Sequence, residues 1–130
     1  MVARLRGDRS LLELPDEDTA KALQLVETRD RRHVPNVAGL LLLGREEVLR
    51  DLLPTHATHF QVIDAQGNVR VNESFTGPLL RVIGEIETRF SARNEEREVT
   101  VGMIRLPIPD YSPEGFREVF NNAILHRDYA

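Results

Sequence analysis

The chain has 130 residues, no cysteine, and a net charge of −4 from 17 basic and 21 acidic side chains. This length fits one domain with a real core, and the lack of cysteine excludes disulfide frameworks, thiolate zinc sites and cysteine nucleophiles. The charge balance argues against a free-standing electrostatic DNA binder, though not against part of a larger DNA-binding protein.

Sixteen of the seventeen basic residues are arginine and only Lys21 is lysine, a skew best explained by GC-rich coding. The N-terminal arginines Arg4, Arg6 and Arg9 have no apolar run behind them, so no signal peptide is expected. The longest apolar stretch, 37–43, is far short of the ~20 residues a bilayer-spanning helix needs. The expectation is a cytoplasmic protein without a membrane partner.

Residues 1–15 read as a lead-in segment ending at Pro15. Asp16 then suits the cap of a helix from 16 to about 28, its apolar stripe supplied by Ala20, Leu23, Leu25 and Val26. The basic knot Arg29, Asp30, Arg31, Arg32 and His33 reads as a solvated loop, with an anion contact as the sharper alternative. Between Pro35 and Gly44 the run Val37, Ala38, Gly39 and Leu40 to Leu43 fits a strand buried on both faces. A short helix is predicted over 45–53, stopped by Pro54.

Alternation predicts a strand over 57–63, a turn at Asp64 to Asn68, and a partner strand over 69–71. Pro78 opens a longer amphipathic helix to about 93, with 79, 80, 82, 83, 86 and 90 as its apolar positions. Residues 97–105 alternate as a further strand, and Pro107 and Pro109 suggest an extended connector. Ser112 followed by Pro113 is a strong helix start, and Phe116, Val119, Phe120, Ala123 and Ile124 form its core stripe. The fold class is therefore α/β, with α+β left open, built on a mixed sheet of about four strands flanked by helices.

The last helix is the most informative segment. Opposite its apolar stripe stand Glu118, Asn122 and His126, spaced one helical turn apart. A carboxylate, a carboxamide and an imidazole in a row can position water and a hard cation, although any amphipathic helix has a polar face.

The stretch Phe116-Arg-Glu-Val-Phe-Asn-Asn-Ala-Ile-Leu-His-Arg-Asp-Tyr129 resembles the "REA–NA–HRDY" signature of a bacterial and archaeal family of RecG-related helicases and transcriptional regulators. The run 35–44 is similar to that family's "T-AGLLLFG" segment, and Gly77-Pro78-Leu79 to its "G-L" turn. Members join an AlbA-like, Schlafen-type DNA-binding domain to an ATP-binding domain of the histidine-kinase-like, gyrase and MutL type. The resemblance covers residues 16–130. It implies an α/β connecting domain at 16–111 and, at 112–130, the first helix of a truncated ATP-binding domain. By the same resemblance Asn122 would hold the magnesium of Mg-ATP, Glu118 would be the catalytic base, and His126 would lie in the cofactor-binding signature. Asn121 and Leu43 depart from the family pattern. DNA would be met through domains outside this chain, flanking domains of the same polypeptide would be its neighbours, and a homodimer is possible. The glycine-bearing boxes that would enclose the nucleotide are not in this sequence, so no activity is expected of the chain alone.

Other motifs dissolve on inspection. His126-Arg127-Asp128 spells a kinase tripeptide but lacks the following asparagine, the glycine-rich loop and the strand lysine. No phosphate-loop motif supports a helicase motor. His56 and His59 are three apart, and on a strand that spacing would point them to opposite faces, so they would not share a metal. A non-enzymatic docking module, and a small enzyme built on the Glu118, Asn122 and His126 row, remain the competing functional readings.

Overall fold

Three acidic residues, Asp16, Glu17 and Asp18, open helix α1 (Asp16–Ala22), where the helix dipole favours them. Lys21 pairs back to Glu17 at 3.0 Å and Asp18 at 3.6 Å. The computed structural model describes residues 13–129, so most of the predicted lead-in lies outside the described residues. The helix is shorter than the apolar pattern predicts. Gln24 turns left-handed at φ 54°, Gln24 N–H donates to Lys21 O, and Leu25 N–H donates to Ala20 O at 2.9 Å. This is the Schellman arrangement, with glutamine in the place glycine usually takes.

The expected continuation of α1 is instead strand β1 (Val26–Arg29), paired antiparallel with β2 (Arg32–Pro35). The basic knot is therefore a hairpin: Asp30 and Arg31, at φ 48° and 62°, supply the two positive-φ positions of its tight turn. Arg29 pairs with Glu27, and His33 lies beside Glu17 and Thr28, so two of its side chains already have partners.

The predicted buried strand at 37–43 is helix α2 (Val37–Leu43). Asn36 decides this. Its side-chain oxygen accepts from Gly39 N–H at 2.8 Å, capping the helix, while its amide donates to Gln24 O at 2.7 Å. Four leucines in the run are also good helix formers. Helix α3 (Glu46–Leu52) follows as the sequence suggests, and a 3₁₀ turn (Pro54–His56) comes after it.

Strands β3 (Thr58–Ile63) and β4 (Val69–Phe75) form the second hairpin. Its loop is organised by Asp64, whose carboxylate accepts from Gln66 N–H, Asn68 N–H and Arg70 Nε. Helix α4 (Leu79–Ser91) comes next, as expected. The third hairpin pairs β5 (Glu96–Val101) with β6 (Ile104–Pro109), so the connector expected at 107–109 is itself a strand. Helix α5 (Pro113–Leu125) closes the described chain, with Ser112 as its cap.

The class is thus mixed α/β, but the strands form three separate two-stranded sheets and not one sheet of four. Each hairpin is followed by a helix, which leaves only local antiparallel pairing. Two apolar clusters hold the helices together. One is Leu41, Leu49 and Leu79, with Ile124 and Tyr129 packed against it. The other is Phe75, Val82 and Ile86, with Phe60, Phe116 and Phe120. Helices α4 and α5 contribute to both. Helix α5 packs on its own chain's core through Phe116, Phe120 and Ile124.

Candidate functional site

Helix α5 is built to present one side. Ser112 Oγ accepts from Gly115 N–H at 3.1 Å and donates to Glu114, fixing the first turn. Phe116 stacks on Phe90 with ring centroids 3.9 Å apart, and Phe120 lies 6.0 Å from Phe116. With Ile124, these rings use up the inward side.

Glu118, Asn122 and His126 are all exposed, one turn apart on the outward side, as the spacing requires. His126 is the C-cap, its N–H donating to Asn122 O at 3.0 Å. The predicted core stripe is only partly core: Val119 is 68% exposed and Ala123 is also outside. The outward side is therefore polar residues bordered by apolar ones.

The residues after α5 serve the fold. The Arg127 guanidinium donates to Ala57 O at 2.8 Å and also reaches the carbonyls of Thr55 and His56. It lies 5.6 Å from the Tyr129 ring, and Tyr129 OH donates to Ile124 O at 3.0 Å. Burial raises the Tyr129 phenol above its ordinary pKa, and Arg127 opposes that rise. His56, for which the sequence suggested no more than an ordinary loop or strand histidine, is a buried polar side chain of the core. Its ring nitrogens lie 2.7 Å from Leu53 O and 2.6 Å from Thr76 O. His59 is exposed on β3. Neither His56 nor Arg127 carries a sequence signal for these roles; only the folded loop brings the carbonyls to them.

Neither of two clefts among the described residues includes Glu118, Asn122 or His126. One, of about 360 Å³, lies between β4 and α4. Its charges are already paired: Arg81 with Glu46 at 3.1 Å and with Glu85 at 3.5 Å, and Arg89 with Glu73 and with Glu85. The Thr76 hydroxyl, followed by Arg81, holds the Glu46 carboxyl below its ordinary pKa. The other cleft, of about 280 Å³, is lined by Phe60, Phe90, Tyr111 and Phe116 with Arg93 at its edge. No group of three or more histidine, aspartate or glutamate side chains among the described residues could hold a metal ion. No helix of the described residues is long and apolar enough to cross a membrane.

Residues 1–59 match a family described as Domain of unknown function (DUF8451), a stretch that takes in α1 through the 3₁₀ turn and ends inside β3. No curated protein and no solved structure matches the chain.

Proposed function

We propose that this chain is the connecting region of a cytoplasmic, ATP-dependent, DNA-associated regulator, in which α5 forms one wall of a Mg-ATP site. The observation that carries the reading is the division of α5: Phe116, Phe120 and Ile124 are committed to the core, while Glu118, Asn122 and His126 remain exposed in a row. The resemblance of residues 116–129 to the "REA–NA–HRDY" signature supports the same reading.

The donor set suits magnesium. A carboxamide oxygen and a carboxylate are hard ligands, and magnesium commonly takes one or two protein oxygens, completing its shell with phosphate oxygens and water. When bound, the ion would offset the charge of the nucleotide phosphates. Asn122 would offer its side-chain oxygen to the ion. Glu118, one turn earlier, would hold a water and accept its proton. His126, one turn later, would lend a ring nitrogen to the nucleotide. The neighbouring exposed Val119 and Leu125 would dock the domain that completes the pocket. DNA would be met by a further domain, with this chain transmitting between the two.

The reading is tested in a polypeptide that carries this chain with the additional ATP-binding domain. Glu118→Ala is expected to keep nucleotide binding and lose hydrolysis, a separation that a merely structural glutamate would not give. Equal hydrolysis by wild type and Glu118→Ala would contradict the assigned role. A docking module that never meets nucleotide is the second reading, favoured by the exposed apolar side of the β5–β6 hairpin.

A further inference from the structure

The cleft of about 280 Å³ beside β3, α4 and α5 has walls made of rings. Phe90 and Phe116 stack with centroids 3.9 Å apart and planes 8° from parallel, and Phe60 and Tyr111 line the same space. Rings packed this closely hold one another in place, so this wall is set before anything binds. Tyr111 is tied down through its backbone. Its N–H donates to Asn94 Oδ1 at 2.9 Å, and its carbonyl accepts from Asn94 Nδ2 at 2.8 Å. The residue is nonetheless 68% exposed, so a large aromatic surface is held at the cleft without being covered by the core.

Arg93 is the one charged side chain that lines this cleft. Its guanidinium donates to Arg89 O at 3.2 Å and lies 5.8 Å from the centre of the Phe60 ring. The arginines on either side of it in sequence are neutralised: Arg89 pairs with Glu73 and Glu85, and Arg97 with Asp110. Among the described residues Arg93 meets no carboxylate. Its charge and its outer N–H groups are therefore left to offer a ligand. The larger cleft differs in this respect, because both of its arginines are matched by glutamates.

We infer that this cleft binds a small planar aromatic acid, its ring against the aromatic walls and its carboxylate against the Arg93 guanidinium. The two halves of such a ligand match the two halves of the site. A planar ring gains dispersion and offset stacking from Phe60, Phe116 and Tyr111, and a carboxylate takes two parallel N–H bonds from a guanidinium. An aromatic cation would meet Arg93 as a like charge, and an aliphatic acid would leave the rings unmatched. Volume sets the size: about 280 Å³ lies at the small end of ligand pockets and suits one ring or two fused rings. Neither Glu118 nor Asn122 lines this cleft, so the inference stands apart from the nucleotide reading.

A nuclear magnetic resonance titration of the whole chain with naphthoate tests it, with naphthylmethanol as the neutral ligand on the same ring. Saturable shifts are expected at the amides of residues 60–63, 93, 94 and 111. The acid is expected to bind about fivefold tighter than the alcohol, the increment of an exposed ion pair. Arg93→Gln, at an exposed position, is expected to keep the fold and erase that preference. The comparison of acid with alcohol in wild type stands whether or not the variant folds. The lack of saturable shifts, shifts confined to residues outside this cleft, equal affinity of wild type for acid and alcohol, or a preference retained in folded Arg93→Gln would overturn the inference.

Discussion

Arg127 donates to the backbone carbonyl of Ala57 at 2.8 Å, tying the end of the chain to a loop seventy positions earlier. The same guanidinium reaches the carbonyls of Thr55 and His56, so one side chain serves three acceptors in and just after the 3₁₀ turn. The arrangement explains why α5 is seated firmly enough to present its outer row. Arg127→Ala is expected to lower unfolding free energy by about 1–3 kcal/mol, the usual cost of removing a charged donor from part-buried acceptors. Arg127→Lys should recover only part of this, because an ammonium cannot span three carbonyls as a planar fork does. Urea denaturation followed by circular dichroism measures both, and equal stability of Arg127→Ala and wild type would contradict the clamp.

A matched pair of glycines separates close approach from helix propensity. At Gly39 in α2 an added Cβ would stand 2.1 Å from Leu25 O, an overlap with backbone that no rotamer relieves. At Gly84 in α4 it would meet nothing within 4 Å. Both lie in helices, where alanine gains about 1 kcal/mol over glycine. Gly84→Ala is therefore expected to stabilise by about that amount. Gly39→Ala is expected to destabilise by about 1–3 kcal/mol, the overpacking cost exceeding the propensity gain. Thermal melts of the two variants should move in opposite directions.

The acid limb of stability should trace to Asp64 and Glu46. Asp64 is held below the ordinary carboxylate pKa by the Asn68 backbone N–H first, then by the Asn68 side chain, Gln66 N–H and Arg70. Glu46 is lowered first by the Thr76 hydroxyl and then by Arg81. A carboxylate whose pKa is lower folded than unfolded stabilises the fold above its unfolded pKa. That contribution is lost as pH falls from about 4 downward. Asp64→Asn and Glu46→Gln are each expected to flatten the loss of stability below about pH 4. Denaturation midpoints between neutral pH and pH ~3 would show it, and unchanged slopes would count against these contacts.

Much of the second half of the chain is legible because its punctuation is conventional. Ser112 and Pro113 start α5, Pro78 precedes α4, and Asp64 to Asn68 makes a recognisable turn. The first half hides its turns. Gln24, Asp30 and Arg31 all adopt positive φ without being glycine, so the end of α1 and the β1–β2 hairpin carry no glycine signal. The run at 37–43 is ambiguous between a buried strand and a helix by composition, and Asn36 settles it through a cap that only the folded loop completes. The spacing of Glu118, Asn122 and His126 could be read directly, whereas the work of Arg127 and His56 depends on carbonyls delivered by a distant turn.

Those hidden turns give a further expectation. Arg31 is held at φ 62° in the second position of a two-residue hairpin, a conformation costing about 1–2 kcal/mol for an ordinary L-residue. Glycine pays no such cost but loses more entropy on folding, by roughly 0.5–1 kcal/mol. Arg31→Gly is therefore expected to stabilise by about 0.5–1 kcal/mol. A melting temperature lower than that of wild type would contradict the turn geometry.

The most direct measurement is a calorimetric titration of Mg-ATP into a polypeptide that extends this chain by the ATP-binding domain proposed for it, repeated with Asn122→Ala. Binding by the parent, dependent on magnesium and lost in Asn122→Ala, is the result predicted if α5 forms a wall of the nucleotide site. Equal binding by both forms, or no binding by the parent, would contradict it.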